Sequence, residues 1–330
     1  MSTHVLSRHV IRLSWVACVL GLVLAPVTAT LPMSIKAIPF VASLVLFGLP
    51  HGAVDHLVLA EWRSASFSTT RMVGVVIVYL IPVALYGALW FVAPLTSAAF
   101  FIALTWFHWG QGDLYAVQRL HGAQHLEEWF DKSLAVIIRG GLPMLVPLLA
   151  HPAVYLEVID LLTVHFNGLQ VLPLLPWFID YVVPVGTVAG ITALLIYATR
   201  TWPYRHTRAW LWDIGELCVL CLFFVTVDPV IAVGLYFCLW HAVRHVVRLQ
   251  VADPGDGNES VLRSLQRFAV RALPTTLGAL GVLGALYFLA PSQPDDLPEW
   301  LGLYLMVISI LTLPHAAVVT MMDVRERIWR

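Results

Sequence analysis

Repeated apolar runs, each long enough to cross a bilayer, constrain this chain more than any other feature. A spanning helix needs about 20 predominantly apolar residues, because it rises about 1.5 Å per residue through a hydrocarbon core about 30 Å thick. Such runs fall at 11–29, 37–60, 72–94, 98–117, 133–150, 180–198, 211–227, 230–248, 271–290 and 301–322. They predict an all-α, polytopic membrane bundle of about eight to ten transmembrane helices. Composition agrees: 59% of the residues are hydrophobic and 12% charged, against about 25% charged in soluble domains. Pro82, Pro143, Pro147 and Pro184 lie inside runs, where membrane helices tolerate them.

The charges set the topology. With the amino terminus inside, every Lys and Arg except Lys36, Arg139 and Arg244 falls in or beside a segment on the inner side, as the positive-inside rule requires. Both termini are therefore expected in the cytoplasm. The whole chain reads as one membrane domain, with residues 1–36 peripheral to its core and 252–260 an inner loop. Val27, Thr28 and Ala29 make a passable signal-peptide site, but the first run is long for a signal segment and is taken as a membrane helix. The stretch 151–179, with three prolines and no Lys or Arg, is expected to be an outer loop with an interfacial or re-entrant piece. A net charge of -1 supplies no basic field for nucleic acid. Cys18, Cys218, Cys221 and Cys238 all lie in apolar runs, as packing residues.

Ionisable groups at membrane depth are costly, so they default to a functional reading. Within 230–248 stands Trp240-His241-Ala242-Val243-Arg244-His245. Two histidines four apart on a helix project from one face and can give one metal ion two nitrogen ligands; hydrogen bonding to backbone carbonyls is the plainer alternative. His51, His108 and His315 occupy three other runs that cross in the same direction. With His241 they all lie just inward of the midplane, within roughly two helical turns of depth, as a single site would require. Neutral imidazoles suit iron, zinc, copper or nickel and exclude magnesium and calcium. The H-E-x-x-H of membrane zinc hydrolases is absent, and an all-histidine set with open positions points to non-haem Fe(II).

Asp55, four after His51, either holds the second ring nitrogen of a ligand or pairs with Arg244 or Arg139. His56 and His315 are placed around the ligands rather than among them, His315 alternatively facing substrate. Asp113 reads as structural. His121 and His125 sit in a polar inner segment with Glu127 and Glu128 and read as solvent-exposed. Trp106, Phe107, Trp109, Tyr236, Phe237 and Trp240, with Gly48, Gly52, Gly110 and Gly112, surround these motifs. They form either ordinary core or the walls of a narrow tunnel for a long, flat apolar molecule.

Together, Pro50-His51-Gly52-x-x-Asp55-His56, Phe107-His108-Trp109-Gly110-Gln111-x-Asp113, Trp240-His241-x-x-Arg244-His245 and Pro314-His315 resemble the signature of the Brp/Blh family of membrane β-carotene dioxygenases, in order from about residue 40 to 322. The resemblance implies Fe(II)-dependent cleavage of the central C15=C15′ bond of β-carotene by O2, giving two molecules of retinal, with His51, His108, His241 and His245 as iron ligands. It also suggests an opsin as acceptor of the product. Di-iron lipid hydroxylases need more H-x-x-x-H and H-x-x-H-H boxes than this chain has, and haem cytochromes a wider histidine spacing. A non-enzymatic carotenoid- or retinal-binding protein assisting an opsin is the remaining alternative.

Overall fold

The computed structural model describes residues 3–56, 58, 69–252 and 261–330. Among these residues the chain is built of helices, with no strand. In chain order the main helices are α1 (Thr3–Thr28), α2 (Ile38–Ser43), α3 (Gly48–Gly52), α4 (Thr69–Val92), α5 (Pro94–Tyr115), α6 (Trp129–Ala150) and α7 (Pro152–Thr163). They continue as α8 (Val183–Thr201), α9 (Arg208–Thr226), α10 (Pro229–Leu235), α11 (Ala242–Ala252), α12 (Val261–Leu289) and α13 (Leu297–Arg325). Eight stretches among the described residues are long and apolar enough to cross a membrane. The chain is therefore a polytopic all-α membrane protein. Of the ten predicted spans, 72–94 corresponds to the 24-residue helix α4, Thr69–Val92. The run at 98–117 forms α5, which carries Thr105, His108, Gln111 and Asp113 and is not one of the eight.

One expectation is corrected. The run 37–60 is not one helix: it leaves helical geometry after Ser43 and resumes as α3. Pro50 falls in the first turn of α3, where its missing N–H would have had no partner. Gly48 admits the fold-back, since a Cβ there would lie 2.5 Å from Ser43 Cβ and 2.7 Å from the Phe237 ring. A broken helix at membrane depth is tolerated where protein rather than lipid surrounds it, and all of Gly48 to His51 is buried. The stretch 151–179, expected as an outer loop with an interfacial or re-entrant piece, carries the 12-residue helix α7, which packs against α13 and α5. Its carboxylate Asp160 accepts from the Val171 and Leu172 N–H groups, the latter at 3.1 Å, turning the chain towards α8. Most of the expected 252–260 loop, 253–260, lies outside the described residues.

Helix α1 is held by Ser14, which donates to Leu239 O at 2.9 Å, and by Trp15 edge-on to Trp212 with centroids 5.7 Å apart. Lys36, the one predicted outer cation, pairs with Asp228 at 2.6 Å.

Helices α5 and α6 are the most closely apposed pair. A Cβ at Gly140 would stand 1.9 Å from Trp106 O, and one at Gly110 2.2 Å from Val136 O. Small residues let membrane helices reach this separation. Gly140→Ala must part the two backbones and is expected to cost about 1–3 kcal/mol in detergent-unfolding midpoint. Gly190→Ala, with nothing within 4 Å of the added carbon, should leave that midpoint unchanged or raise it.

Candidate metal centre and its cavity

Five histidines from four parts of the chain meet in the bundle. His51 comes from α3, His108 from α5, His245 from α11 and His315 from α13, while His241 ends a π-helical turn, Tyr236–His241, that leads into α11. Such turns are rare and frequently sit at functional sites, because the extra residue re-aims the side chains on either side. The His51 ring lies 4.8 Å from His315 and 5.5 Å from both His241 and His245, centroid to centroid. His108 lies 4.8 Å from His241 and 4.7 Å from His315, and His245 lies 5.1 Å from His315. All five residues are at most 6% exposed.

The arrangement suits a first-row metal ion. Two nitrogens bound at right angles, each about 2.1 Å from one ion, stand about 3 Å apart; His108 Nε2 and His241 Nε2 are separated by 3.1 Å. One ligand atom from each of His51, His108 and His315 falls within 4.8 Å of the others, and Asp55, His245 and His315 form a second such group. His245 Nε2 and His315 Nε2 are buried without a hydrogen-bond partner, a costly state for polar atoms in the absence of a cation. His51 Nδ1 donates to Gly48 O, which leaves its Nε2 lone pair for coordination, the orienting contact typical of ligand histidines. Gly112 makes room for His241: a Cβ there would come within 3.1 Å of its ring.

Asp55 does not pair with Arg244. Its Oδ2 accepts from His315 Nδ1 at 2.8 Å and from Tyr79 OH at 3.1 Å, while Arg244 reaches Glu216 at 2.5 Å and lies over the Trp240 ring at 3.9 Å. Glu216 and Asp213, three apart on α9, belong to a fully buried charge network with Asp113, Arg139 and Arg244. Two acids on one face of an apolar run, set against two arginines inside other runs, are the sequence signal for this network. Asp113 has the structural role expected of it, binding Arg139 at 3.2 Å and accepting from Trp240 Nε1 at 3.1 Å. His121 and His125 are not solvent-exposed, because they close the same network. His125 donates to Asp213 at 2.7 Å and His121 to Glu216 at 3.2 Å. His56 is half-buried and bonds back to Ala53 O in its own turn at 3.1 Å.

Beside the histidines opens an apolar cavity of about 690 Å³. His51, His56, His108 and His315 are in its wall, with Leu301, Leu305, Ile308 and Thr312 of α13 forming a stripe that ends at His315. From Leu301 to His315 that stripe runs about 21 Å along the helix. Of the six aromatics considered for a tunnel, Trp109 and Phe237 line the cavity. Trp106 instead donates to Ile137 O at 2.7 Å across the α5–α6 contact. Phe107 is 42% exposed on the outside of the bundle. Tyr236 and Trp240 are buried and stacked on each other, with centroids 6.2 Å apart. The further lining comes from α4, α7 and α12, including Tyr79, Tyr155 and Thr275, which no histidine motif pointed to.

Fold and site together define a class, multi-pass helical membrane proteins with a buried polyhistidine centre facing an apolar cavity. A family model described as beta-carotene 15,15'-dioxygenase matches residues 42–323. The chain belongs to that family, and it is a dioxygenase by that membership. It is 39% identical over 323 residues to "Probable beta-carotene 15,15'-dioxygenase Blh" of Halobacterium salinarum, covering 96% of this chain and 93% of the relative. "Probable beta-carotene 15,15'-dioxygenase Brp" of the same organism is 28% identical, covering 90% and 86%. "Beta-carotene 15,15'-dioxygenase" of an uncultured marine bacterium is 23% identical, covering 83% and 89%. No solved structure matches the chain significantly.

Proposed function

We propose that this protein cleaves β-carotene with O2 at the central C15=C15′ bond, giving two molecules of all-trans-retinal, with Fe(II) held by His51, His108, His241 and His245. The observation that carries the reading is the cluster of imidazoles, two of them (His245 and His315) with an orphaned buried Nε2, beside a cavity lined almost wholly by hydrocarbon with His51, His108 and His315 in its wall. A C40 hydrocarbon resides in the bilayer, so its enzyme must hold the reactive centre at membrane depth. Both O2 atoms end as aldehyde oxygens and the double bond is the only bond of the carotene broken, so no proton has to enter or leave. That balance fits a cavity with few ionisable groups besides the histidines and Asp55. Bound iron would supply the activation of dioxygen; the protein holds the neutral ring nitrogens, excludes water and positions the polyene. Both termini are assigned to the cytoplasm on the distribution of Lys and Arg.

The test is expression in bacteria that accumulate β-carotene, with retinal measured by chromatography. Retinal is expected from the parent and none from His108→Ala at equal membrane abundance. Undiminished retinal from the variant would refute this ligand set, and a well-expressed, iron-loaded parent that bleaches no carotene would refute the substrate, leaving a carotenoid-binding role. Leu305→Trp narrows the cavity away from the histidines. Displacing the polyene by even 1 Å should lower kcat/KM roughly 100-fold while the iron content stays at the parent value.

A further inference from the structure

We infer that His315 is itself a ligand of the metal in this centre, a fifth imidazole held in place by Asp55 and Tyr79. The inference rests on the reading that the histidine cluster holds a metal ion, and it adds to the four ligands proposed above. His315 stands at the middle of the cluster. Its ring is within 5.1 Å of His51, His108 and His245, nearer to His51 than His241 is. With His51 and His108 it forms a group of side chains whose donor atoms converge closely enough for one ion. Its Nδ1 is committed to Asp55 at 2.8 Å, and Asp55 is fixed in turn by Tyr79 at 3.1 Å. The proton therefore sits on Nδ1, and Nε2 carries the lone pair. That Nε2 is buried with no hydrogen-bond partner, although His315 is only 4% exposed and the rest of its ring is well packed. A carboxylate on one nitrogen and a vacant lone pair on the other is how proteins prepare a histidine for a metal. Gly52 lies beside the ring, where a Cβ would meet it at an ordinary contact distance of 3.4 Å. Five imidazoles leave a six-coordinate ion one open position. O2 then has a single place to bind, and the hydrocarbon, which offers no ligand atom, lies in the cavity beside it.

The experiment uses the full-length protein in detergent with Co(II) as the probe ion, reading affinity and the visible absorption bands, which intensify as coordination number falls. The parent is expected to bind one Co(II) per chain. His315→Ala should bind it more than roughly 100-fold more weakly, beyond the 10–100-fold typical of losing an orienting partner. Its bands should be stronger, and added imidazole should return them to the parent form. Asp55→Asn should keep the parent bands and lose roughly 10–100-fold in affinity. If His315→Ala retains the parent's affinity and spectrum while His241→Ala loses both, His315 is not a ligand and the four-histidine centre stands. If the parent binds no Co(II), the metal reading fails and this inference with it. Should His315→Ala fail to fold, Asp55→Asn decides the matter: unaltered affinity there overturns the assignment.

Discussion

His241→Ala is expected to abolish both iron retention and carotene cleavage while leaving the bundle folded. The His241 ring contacts His108 at 3.1 Å between Nε2 atoms and lies 5.5 Å from His51, so its removal opens the centre on the side of α5. Losing an orienting partner typically costs 10–100-fold in metal affinity, and losing a ligand atom should exceed roughly 100-fold. The fold has less at stake, because His241 makes no ion pair and its neighbours Trp240 and Arg244 anchor that segment independently through Asp113 and Glu216. Iron per chain after gel filtration, beside the thermal midpoint, checks both halves. A variant that keeps stoichiometric iron would show that His241 is packing and not a ligand.

The second large effect concerns stability. Arg139→Met should unfold the protein in mild detergent, or lower its stability by about 3–5 kcal/mol. The Arg139 side chain is fully buried and faces three carboxylates, Asp113 at 3.2 Å, Glu216 at 3.3 Å and Asp213 closer still. Deleting it leaves those charges uncompensated in a medium that solvates them poorly, and that penalty exceeds the worth of the ion pairs themselves. Arg139→Lys should recover only part of the loss, since an ammonium is a compact point charge and cannot reproduce the guanidinium fork. Arg200→Met, which breaks pairs with Glu128 at 2.7 Å and with Asp131 but from a guanidinium side chain that is itself 38% exposed, should shift the midpoint far less because solvent screens it. Equal sensitivity of the two sites would contradict a buried network as the brace behind the histidines.

These two sites also show what was legible in the sequence. Histidines at one depth in runs crossing the same way had to face one another once the helices bundled, and His51, His108, His241 and His315 do. Hydropathy fixes depth but not rotation about the helix axis. That is why Phe107, next to His108, faces outwards, and why Tyr236 and Trp240 stack inside the core instead of lining the cavity. Charge pairing needs the neighbouring helix to be known. Arg244 has no acid within its own run, so Asp55, the acid beside another histidine, was an obvious candidate, whereas its partner Glu216 comes from α9. The break before α3 and the π turn before α11 were invisible for a different reason. Both depend on local backbone registers that Gly48, Pro50 and the packing of Phe237 select only in the assembled bundle.

The most direct test of the central claim is a stoichiometry. Purified protein loaded with Fe(II) is given a known amount of β-carotene in air-saturated micelles, and carotene loss, O2 uptake and aldehyde products are followed together. Two retinal molecules formed and one O2 consumed are expected for each β-carotene lost. Unequal products, a longer apocarotenal paired with a shorter fragment, or carotene bound without O2 uptake would contradict it.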